Sequence, residues 1–446
     1  MESLESNLNY DSPIDISIIF IIVMNIIKNV ASLSFFLRNQ KLVIFIRISK
    51  MGCDDVYIIS ACRTGIGAPN GQFKNTPANV LGAAVIKNCI DRARILPADV
   101  SDVIMGHVLT AGQGQNTARQ AAVAADITMT TPACTISMLG GSSLKAILLG
   151  YQSIRCNGKV KYVVCGGQEN MTMAQHSTYI RNTEKFHGIE VQDTMLVDGL
   201  IDPFSGLQMG HIAEYFSISH KIEREIQDRF ALYSHTRAAK AVLNHDFVHE
   251  IIPICRSEST LDIVKDELVE INTTLTQLNQ LPVVFEEQLL SNCTVTEGNS
   301  APNGDGAAAV ILCNQIQIEL LDLVPLAKII AFFEAGVESV ELGTAIVKVI
   351  EQLLALSGWE KKDVDLYEID EMFACQPLYV VKQLGLNFNR VNIAGGSIAL
   401  GQPLGAHGAR LVVTLLHNLH RLGLSKGIAV ASSGCGMAIG IAIERT

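Results

Sequence analysis

The chain has 446 residues, a formal net charge of −10, 48% hydrophobic residues and 17% charged residues. These values exclude a disordered chain and a small disulfide scaffold, and the length suffices for two or three domains with a large core. The acidic balance argues against a dedicated nucleic-acid binder, which needs clustered Lys and Arg. The eleven cysteines are an odd number without a Cys-x-x-Cys pair, which predicts reduced thiols and no metal site.

Residues 1–50 differ in composition from the rest of the chain. Their longest uncharged apolar run, residues 16–27, is shorter than the roughly 20 residues needed to cross a bilayer. A second apolar stretch, residues 30–37, is followed by basic residues and by no small-residue cleavage site. We therefore expect Met51 to be the functional start of a cytoplasmic protein, with residues 1–50 untranslated or nonessential. The alternative is a single-span membrane anchor in residues 1–50.

From residue 55 onward, buried strands alternate with amphipathic helices. Such alternation predicts an α/β fold with a mostly parallel sheet and helices on both faces. In the first half we predict strands at 56–60, 102–107, 133–138 and 161–166, and helices at 78–94, 117–124 and 144–155.

The C-terminal part repeats this plan, which indicates a tandem duplication. Its predicted strands are 327–333, 365–369, 391–393, 427–432 and 437–444, and its predicted helices are 340–357, a helix from about 376, and 409–422. The region between the halves, about 171–299, is less regular, with predicted helices at 222–244. We interpret it as an inserted loop domain.

Two glycine-rich turns each lead into a predicted helix. The first passes through Gly140 and Ser143, where the amides of a helix N-terminus can hold an anion or stabilise an oxyanion. Taken by itself, this Gly/Ser pattern favours a purely structural turn. The second, residues 393–408, is longer, and its many glycines predict a close approach of backbone to backbone or to a ligand.

These turns belong to a series of segments that resemble the thiolase family. The series also includes Ser-Ala-Cys-Arg-Thr-Gly-Ile-Gly at 60–67, Gly-Gly-Gln-Glu-Asn-Met-Thr at 166–172, Met-Gly-His-Ile-Ala-Glu at 209–214, Thr-Glu-Gly-Asn at 296–299 and Asp-Gly-Ala-Ala-Ala at 305–309. The resemblance covers residues 54–446 in order and is strongest to cytosolic acetyl-CoA acetyltransferases. It implies two tandem halves, each a mixed β-sheet layered with α-helices, plus the inserted loop domain.

The resemblance also implies domain bounds and an assembly. The first half spans 51–170 and is completed by about 300–322, the inserted loop domain spans 171–299, and the second half spans 323–446. The family pairs subunits through a sheet edge in the first half, so the expected assembly is a homodimer or homotetramer, or a mixed assembly with an active thiolase. No permanently bound cofactor is expected, and coenzyme A or acetyl-CoA is the expected ligand.

The family's chemistry is the reversible Claisen condensation of two acetyl-CoA molecules through an acylated cysteine. It uses a thiolate at a helix N-terminus, a histidine that activates this thiolate, and a second cysteine that moves the substrate proton. Matched to the family pattern, these three positions hold Gly140, Gln402 and Ser432. A family asparagine that orients a water falls at Asp370. We therefore expect a catalytically impaired or inactive protein.

The family's substrate contacts map onto a second group of residues. The retained ones are Leu200, Met209 and Phe373, whereas a histidine falls at Gln208 and two serines fall at Ala301 and His407. The resemblance also implies that the amides of Gly140 and Gly434 retain an oxyanion pocket.

Two readings of the activity remain open. The first is an acyl-CoA binder or non-catalytic subunit. The second is an acyltransferase or thioester hydrolase that uses displaced residues such as Cys435, in a turn beside Gly434, together with His407. In the second reading, Cys435 must have a lowered pKa.

Overall fold

One mixed sheet runs through the described part of the chain. The computed structural model describes residues 55–181, 190–254, 265–285 and 292–446. The predictions on residues 1–50 lie outside these ranges. The strands are β1 (Val56–Arg63), β2 (Val100–Gly106), β3 (Ala133–Ile136), β4 (Tyr162–Asn170), β5 (His176–Ser177), β6 (Gln192–Asp193), β7 (Asp305–Asn314), β8 (Ala327–Gly336), β9 (Leu366–Ile369), β10 (Lys426–Ser433) and β11 (Met437–Arg445).

Helices cover and separate these strands. They are α1 (Ala78–Ala93), α2 (Thr117–Ala124), α3 (Ser142–Cys156), α4 (Met209–Ser219), α5 (Arg224–Leu243), α6 (Leu275–Gln280), α7 (Gln315–Leu321), α8 (Leu342–Ser357), α9 (Cys375–Leu384), α10 (Ser397–Leu400) and α11 (His407–Leu422). Within the described ranges, no helix combines the length and the apolarity needed to cross a membrane.

The strand order shows the tandem halves directly. The large sheet has nine strands in the order β3-β2-β4-β7-β1-β8-β11-β10-β9. Outward from its centre, each half runs through antiparallel pairs and then into parallel pairing. The parallel pairs are β4 with β2 and β2 with β3 in the first half, and β10 with β9 in the second. The α/β class and the two similar halves are confirmed.

The expectation of a mostly parallel sheet was wrong, because antiparallel pairs form the whole centre. Sequence analysis assigned no strand to β7, which pairs antiparallel with both β1 and β4. The halves then join through a short antiparallel contact of β1 with β8, in which Tyr57 faces Lys328. The strand predicted at 391–393 is reduced to one parallel bridge between Tyr367 and Val391.

The middle region is an excursion between two neighbouring strands. Because β4 and β7 pair side by side, the chain leaves the sheet after Asn170 and returns to it at Asp305. The described parts of this excursion contain α4, α5 and α6 and the two-stranded sheet of β5 and β6. The predicted division of the chain at 170, 299 and 322 stays a prediction.

Two long helices, α3 and α11, lie in the core and touch. A Cβ on Gly408 would lie 2.6 Å from the Cβ of Leu144, so only glycine permits this approach. The backbone amide of Ala409 donates a hydrogen bond of 2.8 Å to the Ser143 hydroxyl. Apolar residues of both helices share one buried cluster with strands of both halves. The N-termini of two buried helices therefore lie close together.

Candidate functional site

A cavity of about 400 Å³ opens beside the N-terminus of α3. Its wall brings together residues that are far apart in the sequence. The predicted site residues in this wall are Gly140, Leu200, Gln208, Met209, Ala301, Phe373, Gln402 and Gly434. Elements of both halves and of the middle region therefore form one pocket.

The turn at Gly140 is shaped by a short 3₁₀ segment, Leu139–Gly141, that leads into α3. Leu139 has a φ of 47°, in the left-handed region that few side chains adopt. The Ser142 hydroxyl fixes the turn by accepting from the Met138 amide at 2.8 Å and donating to the Leu139 carbonyl at 2.6 Å. Gly140 thus lies in the pocket wall at the positive end of a buried helix.

The backbone surroundings of Gly140 are tight. A Cβ at this position would lie 2.8 Å from the carbonyl oxygen of Ser432, closer than an ordinary contact. It would also lie 3.5 Å from Gln402 Nε2 and 3.8 Å from His407 Cδ2. Any side chain at residue 140 would therefore point at Gln402 and His407, but the Gly140 turn or β10 would have to shift to admit it.

Gln402 comes from the second glycine-rich turn. Gly401 has a φ of 90°, and the backbone amide of Gln402 donates a hydrogen bond of 3.0 Å to the Pro302 carbonyl. The Gln402 residue is 4% exposed, yet neither Nε2 nor Oε1 of its side chain has a hydrogen-bond partner. A buried side-chain amide without a hydrogen-bond partner raises the free energy of the folded state. The side-chain amide of Gln402 is therefore available to bind a ligand or water.

Behind the pocket wall lies a buried cluster of Asp370, His407 and Ser432. The Ser432 hydroxyl donates a short hydrogen bond to Asp370 Oδ2, which also accepts from the Ser432 amide at 3.1 Å. His407 Nε2 lies 2.9 Å from Asp370 Oδ1, although this approach is not aligned as a hydrogen bond. All three side chains are buried, and the pocket is not lined by them.

The charges in this cluster follow from its surroundings. Burial raises the pKa of Asp370, but the adjacent His407 and the hydrogen bonds from Ser432 outweigh it and hold the pKa below its ordinary value. Burial lowers the pKa of His407 and outweighs the attraction of Asp370. Near neutral pH, Asp370 is therefore charged and His407 is neutral.

Models of the thiolase N-terminal domain and the thiolase C-terminal domain match residues 56–316 and 323–445. The chain belongs to the thiolase family. It is 41% identical over 396 residues to the cytosolic acetyl-CoA acetyltransferase of Mus musculus, covering 88% of this chain and 99% of that one. The acetyl-CoA acetyltransferase of Cupriavidus necator is 41% identical over 395 residues, with 88% and 99% covered.

Two solved thiolase structures are similar to this chain along its fold. One is a thiolase from Ascaris suum in complex with coenzyme A, with a TM-score of 0.82, 34% identity, and 88% of this chain and 100% of that chain covered. The other is human mitochondrial 3-ketoacyl-CoA thiolase, with a TM-score of 0.84, 34% identity, and 89% and 100% covered. The predicted thiolase fold is confirmed.

The predicted pair of displaced residues, Cys435 with His407, stays a prediction. Cys435 is half-buried in the turn between β10 and β11, and its φ is 62°. Burial, followed by the charge of Asp202, raises the pKa of the Cys435 thiol. This is the opposite of the shift that activates a nucleophilic cysteine. His407, in turn, faces Asp370.

No role was predicted from the sequence for some residues of this pocket. Asn303 and Glu297 both lie in the wall, and Glu297 is the ionisable side chain among the described lining residues. Glu297 belongs to the segment 296–299, which is one of those that resemble the family. This resemblance was the sequence signal that could have placed Glu297 in the pocket. The sequence predicted no metal site. Within the described ranges, no group of three or more His, Cys, Asp or Glu could hold a metal ion.

Proposed function

We propose that this thiolase-family protein binds acetyl-CoA or a related acyl-CoA in the pocket at Gly140 and is impaired in the condensation that acetyl-CoA acetyltransferases catalyse. The observation that carries the proposal is Gly140 itself. A pocket meets the N-terminus of a buried helix, where backbone amides favour an oxyanion, but the residue there has no nucleophilic side chain.

The neighbouring groups support impaired chemistry. Gln402 can donate and accept hydrogen bonds but cannot take up a proton near neutral pH. The Ser432 hydroxyl is engaged with Asp370. Removal of a covalent nucleophile from a catalytic unit can reduce kcat by roughly a million-fold, and further losses in the same unit add little. Gly140, Gln402 and Ser432 stand at the three positions where the family has its reacting side chains. They therefore leave no route for acyl transfer by the family's mechanism.

The pocket and the relatives support retained ligand binding. The cavity is lined by Leu200, Met209 and Phe373, which are the substrate contacts implied by the family resemblance. The Ascaris suum thiolase, 34% identical to this chain, holds coenzyme A.

The proposal also includes an assembly, which is a homodimer, a homotetramer or a mixed assembly with an active thiolase. Sedimentation of the protein alone and with an active thiolase measures the assembly.

Calorimetric titration with acetyl-CoA and with CoA tests binding. We expect saturable binding to the wild-type protein and its loss in Ala301→Phe, because Ala301 lines the cavity and a benzyl group fills it. Ala98→Phe is the matched control, since Ala98 is exposed outside the pocket wall. Absence of binding to the wild-type protein would contradict the proposal.

Turnover of acetoacetyl-CoA with free CoA tests the impaired chemistry. We expect no rate above a protein-free blank. The triple variant Gly140→Cys, Gln402→His, Ser432→Cys should regain at most part of the activity, because a Cβ at residue 140 requires the Gly140 turn or β10 to shift. Wild-type turnover that is lost in Cys435→Ser or His407→Gln would instead support an acyltransferase or thioester hydrolase that uses those residues.

A further inference from the structure

Two buried thiols lie side by side in the first half of the chain, outside the pocket. Cys62 on β1 and Cys89 on α1 have their Sγ atoms 3.3 Å apart, and both residues are fully buried. The Cys62 thiol also donates to the Val85 carbonyl at 3.4 Å, and the Cys89 thiol donates to the Ala309 carbonyl at 3.3 Å. Neither cysteine lines the cavity at Gly140, so acyl-CoA binding gives this pair no role.

The two sulfurs are close enough to bond after a small movement. A disulfide has an S–S distance of about 2.05 Å, so the Sγ atoms of Cys62 and Cys89 must approach each other by about 1.2 Å. A rotation of each side chain by roughly 20° about its Cα–Cβ bond can cover this distance at low cost. The bond joins positions that are 27 residues apart and fastens α1 to the sheet.

The surroundings favour Cys89 as the attacking thiol. Burial raises the pKa of Cys89, but a hydrogen bond from the Cys62 thiol and the charge of Arg92 outweigh burial and hold this pKa below its ordinary value. Arg92 is exposed, three residues further along α1, and donates to the Ala61 carbonyl at 3.2 Å. The pair therefore lies close to the exposed end of α1, where local opening of the last helical turn admits a small oxidant.

We propose that Cys62 and Cys89 are an oxidation site at which hydrogen peroxide forms a disulfide that fastens α1 to β1. The Cys89 thiolate attacks a peroxide oxygen, so an S–O bond forms, the O–O bond breaks, and the departing hydroxide takes up the proton that Cys89 lost. The Cys62 sulfur then attacks the sulfur of the Cys89 sulfenic acid, so the S–S bond forms, the S–O bond breaks, and the departing hydroxide takes up the Cys62 proton. The two thiols lose two electrons, and one peroxide becomes two molecules of water. This inference is independent of acyl-CoA binding.

Peptide mass spectrometry of the full chain tests the disulfide. The protein is treated with hydrogen peroxide near neutral pH, its remaining thiols are blocked with iodoacetamide in urea, and it is digested without a reductant. We expect a linked pair of peptides that contains Cys62 and Cys89 and separates on addition of dithiothreitol. Fragmentation assigns the bond to Cys62, because Cys53 lies in the same tryptic peptide. Recovery of Cys62 and Cys89 only in forms that are not linked to each other would overturn the inference.

Urea unfolding with two matched variants assigns the effect of oxidation to this pair. Peroxide treatment should raise the urea midpoint of the wild-type protein by roughly 0.5–1 M, because the bond closes a loop between positions 27 residues apart in the unfolded chain. The increase should vanish in Cys62→Ala and persist in Cys134→Ala, at an exposed position of β3. An unchanged wild-type midpoint, or an increase that survives Cys62→Ala, would overturn the inference. If Cys62→Ala does not fold, the peptide link in the wild-type protein decides.

Discussion

The N-termini of α3 and α11 are built alike but are filled differently. Each follows a short 3₁₀ segment, Leu139–Gly141 in the first half and Leu404–Ala406 in the second. At α3, the position facing the pocket is Gly140, and backbone of β10 lies against it. At α11, the first residue is His407, which contacts the charged Asp370.

This difference separates binding from stability. The α3 end presents backbone amides and Gln402 to a pocket, so a ligand can complete its hydrogen bonding. At the α11 end, His407, Asp370 and Ser432 do not line the pocket, and Asp370 is held by the Ser432 hydroxyl and amide, so these groups act on the stability of the fold. Changes at the α11 end should therefore lower the free energy of unfolding most, and changes at the α3 end should act on ligand binding.

The largest expected loss of stability is from His407→Leu. This change removes the neutral imidazole that lies 2.9 Å from the charged Asp370 carboxylate, and the loss of this polar neighbour should lower the free energy of unfolding by about 3 kcal/mol. Urea unfolding measures the effect, with His249→Leu at an exposed position as the control. The double variant with Asp370→Asn should recover part of the loss, since no buried charge remains. A wild-type midpoint in His407→Leu would contradict this assignment.

The free energy of unfolding is expected to depend on pH through Glu368. The carboxyl group of Glu368 lies 3.9 Å from Arg410 of α11. Burial raises the pKa of Glu368 from 4.5 to about 8, despite Arg410 and with a contribution from Glu371. The folded protein therefore keeps this proton while the unfolded chain loses it. The contribution of Glu368 to stability should decline as pH rises from 4.5 to 8, by about 1.4 kcal/mol per pH unit at the steepest point.

Glu368→Gln removes this titration. Urea midpoints measured from pH 5 to pH 9 should fall less with pH in Glu368→Gln than in the wild-type protein. Glu351→Gln, at an exposed site on α8, should follow the wild-type curve. Parallel curves for Glu368→Gln and wild type would show that the carboxyl group does not titrate in this range.

A smaller effect is expected at the α3 end. Gly140→Ala places a Cβ 2.8 Å from the Ser432 carbonyl oxygen, so backbone must move. Overpacking of this kind should lower the free energy of unfolding by about 1–3 kcal/mol. Gly336→Ala is the matched control, because nothing lies within 4 Å of its Cβ position. Equal midpoints for the two alanine variants would mean that the Gly140 turn is not tightly packed.

The least perturbing test is alkylation of Cys435. Because burial raises the pKa of this thiol above its ordinary value, its reaction with iodoacetamide should be slow below pH 8 and should accelerate only in more alkaline buffer. Peptide mass spectrometry follows the site, and Cys435→Ser identifies its peptide. Rapid modification at pH 7 would restore Cys435 as a candidate nucleophile.

Periodicity predicted most helices and strands of the sheet but not its central pairing. The helix Thr117–Ala124 was predicted with its observed bounds. The strand β7 was missed because its residues 307–313 form a continuous apolar run, and periodicity alone does not distinguish a fully buried strand from a buried helix segment. Without β7, the antiparallel centre could not be anticipated. The single bridge at Val391 shows that a short apolar segment need not form a strand.

The sequence predicted which residues share a pocket wall, whereas their roles in a site stay predictions. The family resemblance implied Gly140, Gln402, Leu200 and Met209, and the structure places them in one pocket wall. Local sequence could not reveal that the Ser432 carbonyl lies against Gly140, because the two residues are on different elements. For the same reason, the contact of Asp370 with His407 required the fold.

The joining of distant strands in the sheet has a consequence for synthesis. Val56 at the start of β1 pairs with Asn314 at the end of β7, and Tyr57 pairs with Lys328 of β8. During translation, the first strand therefore emerges long before either neighbour exists. Its apolar residues therefore stay exposed to solvent or are bound by a chaperone until β7 and β8 are synthesised, because pairing between distant strands forms slowly. The sheet can be completed only after β11, Met437–Arg445, has emerged.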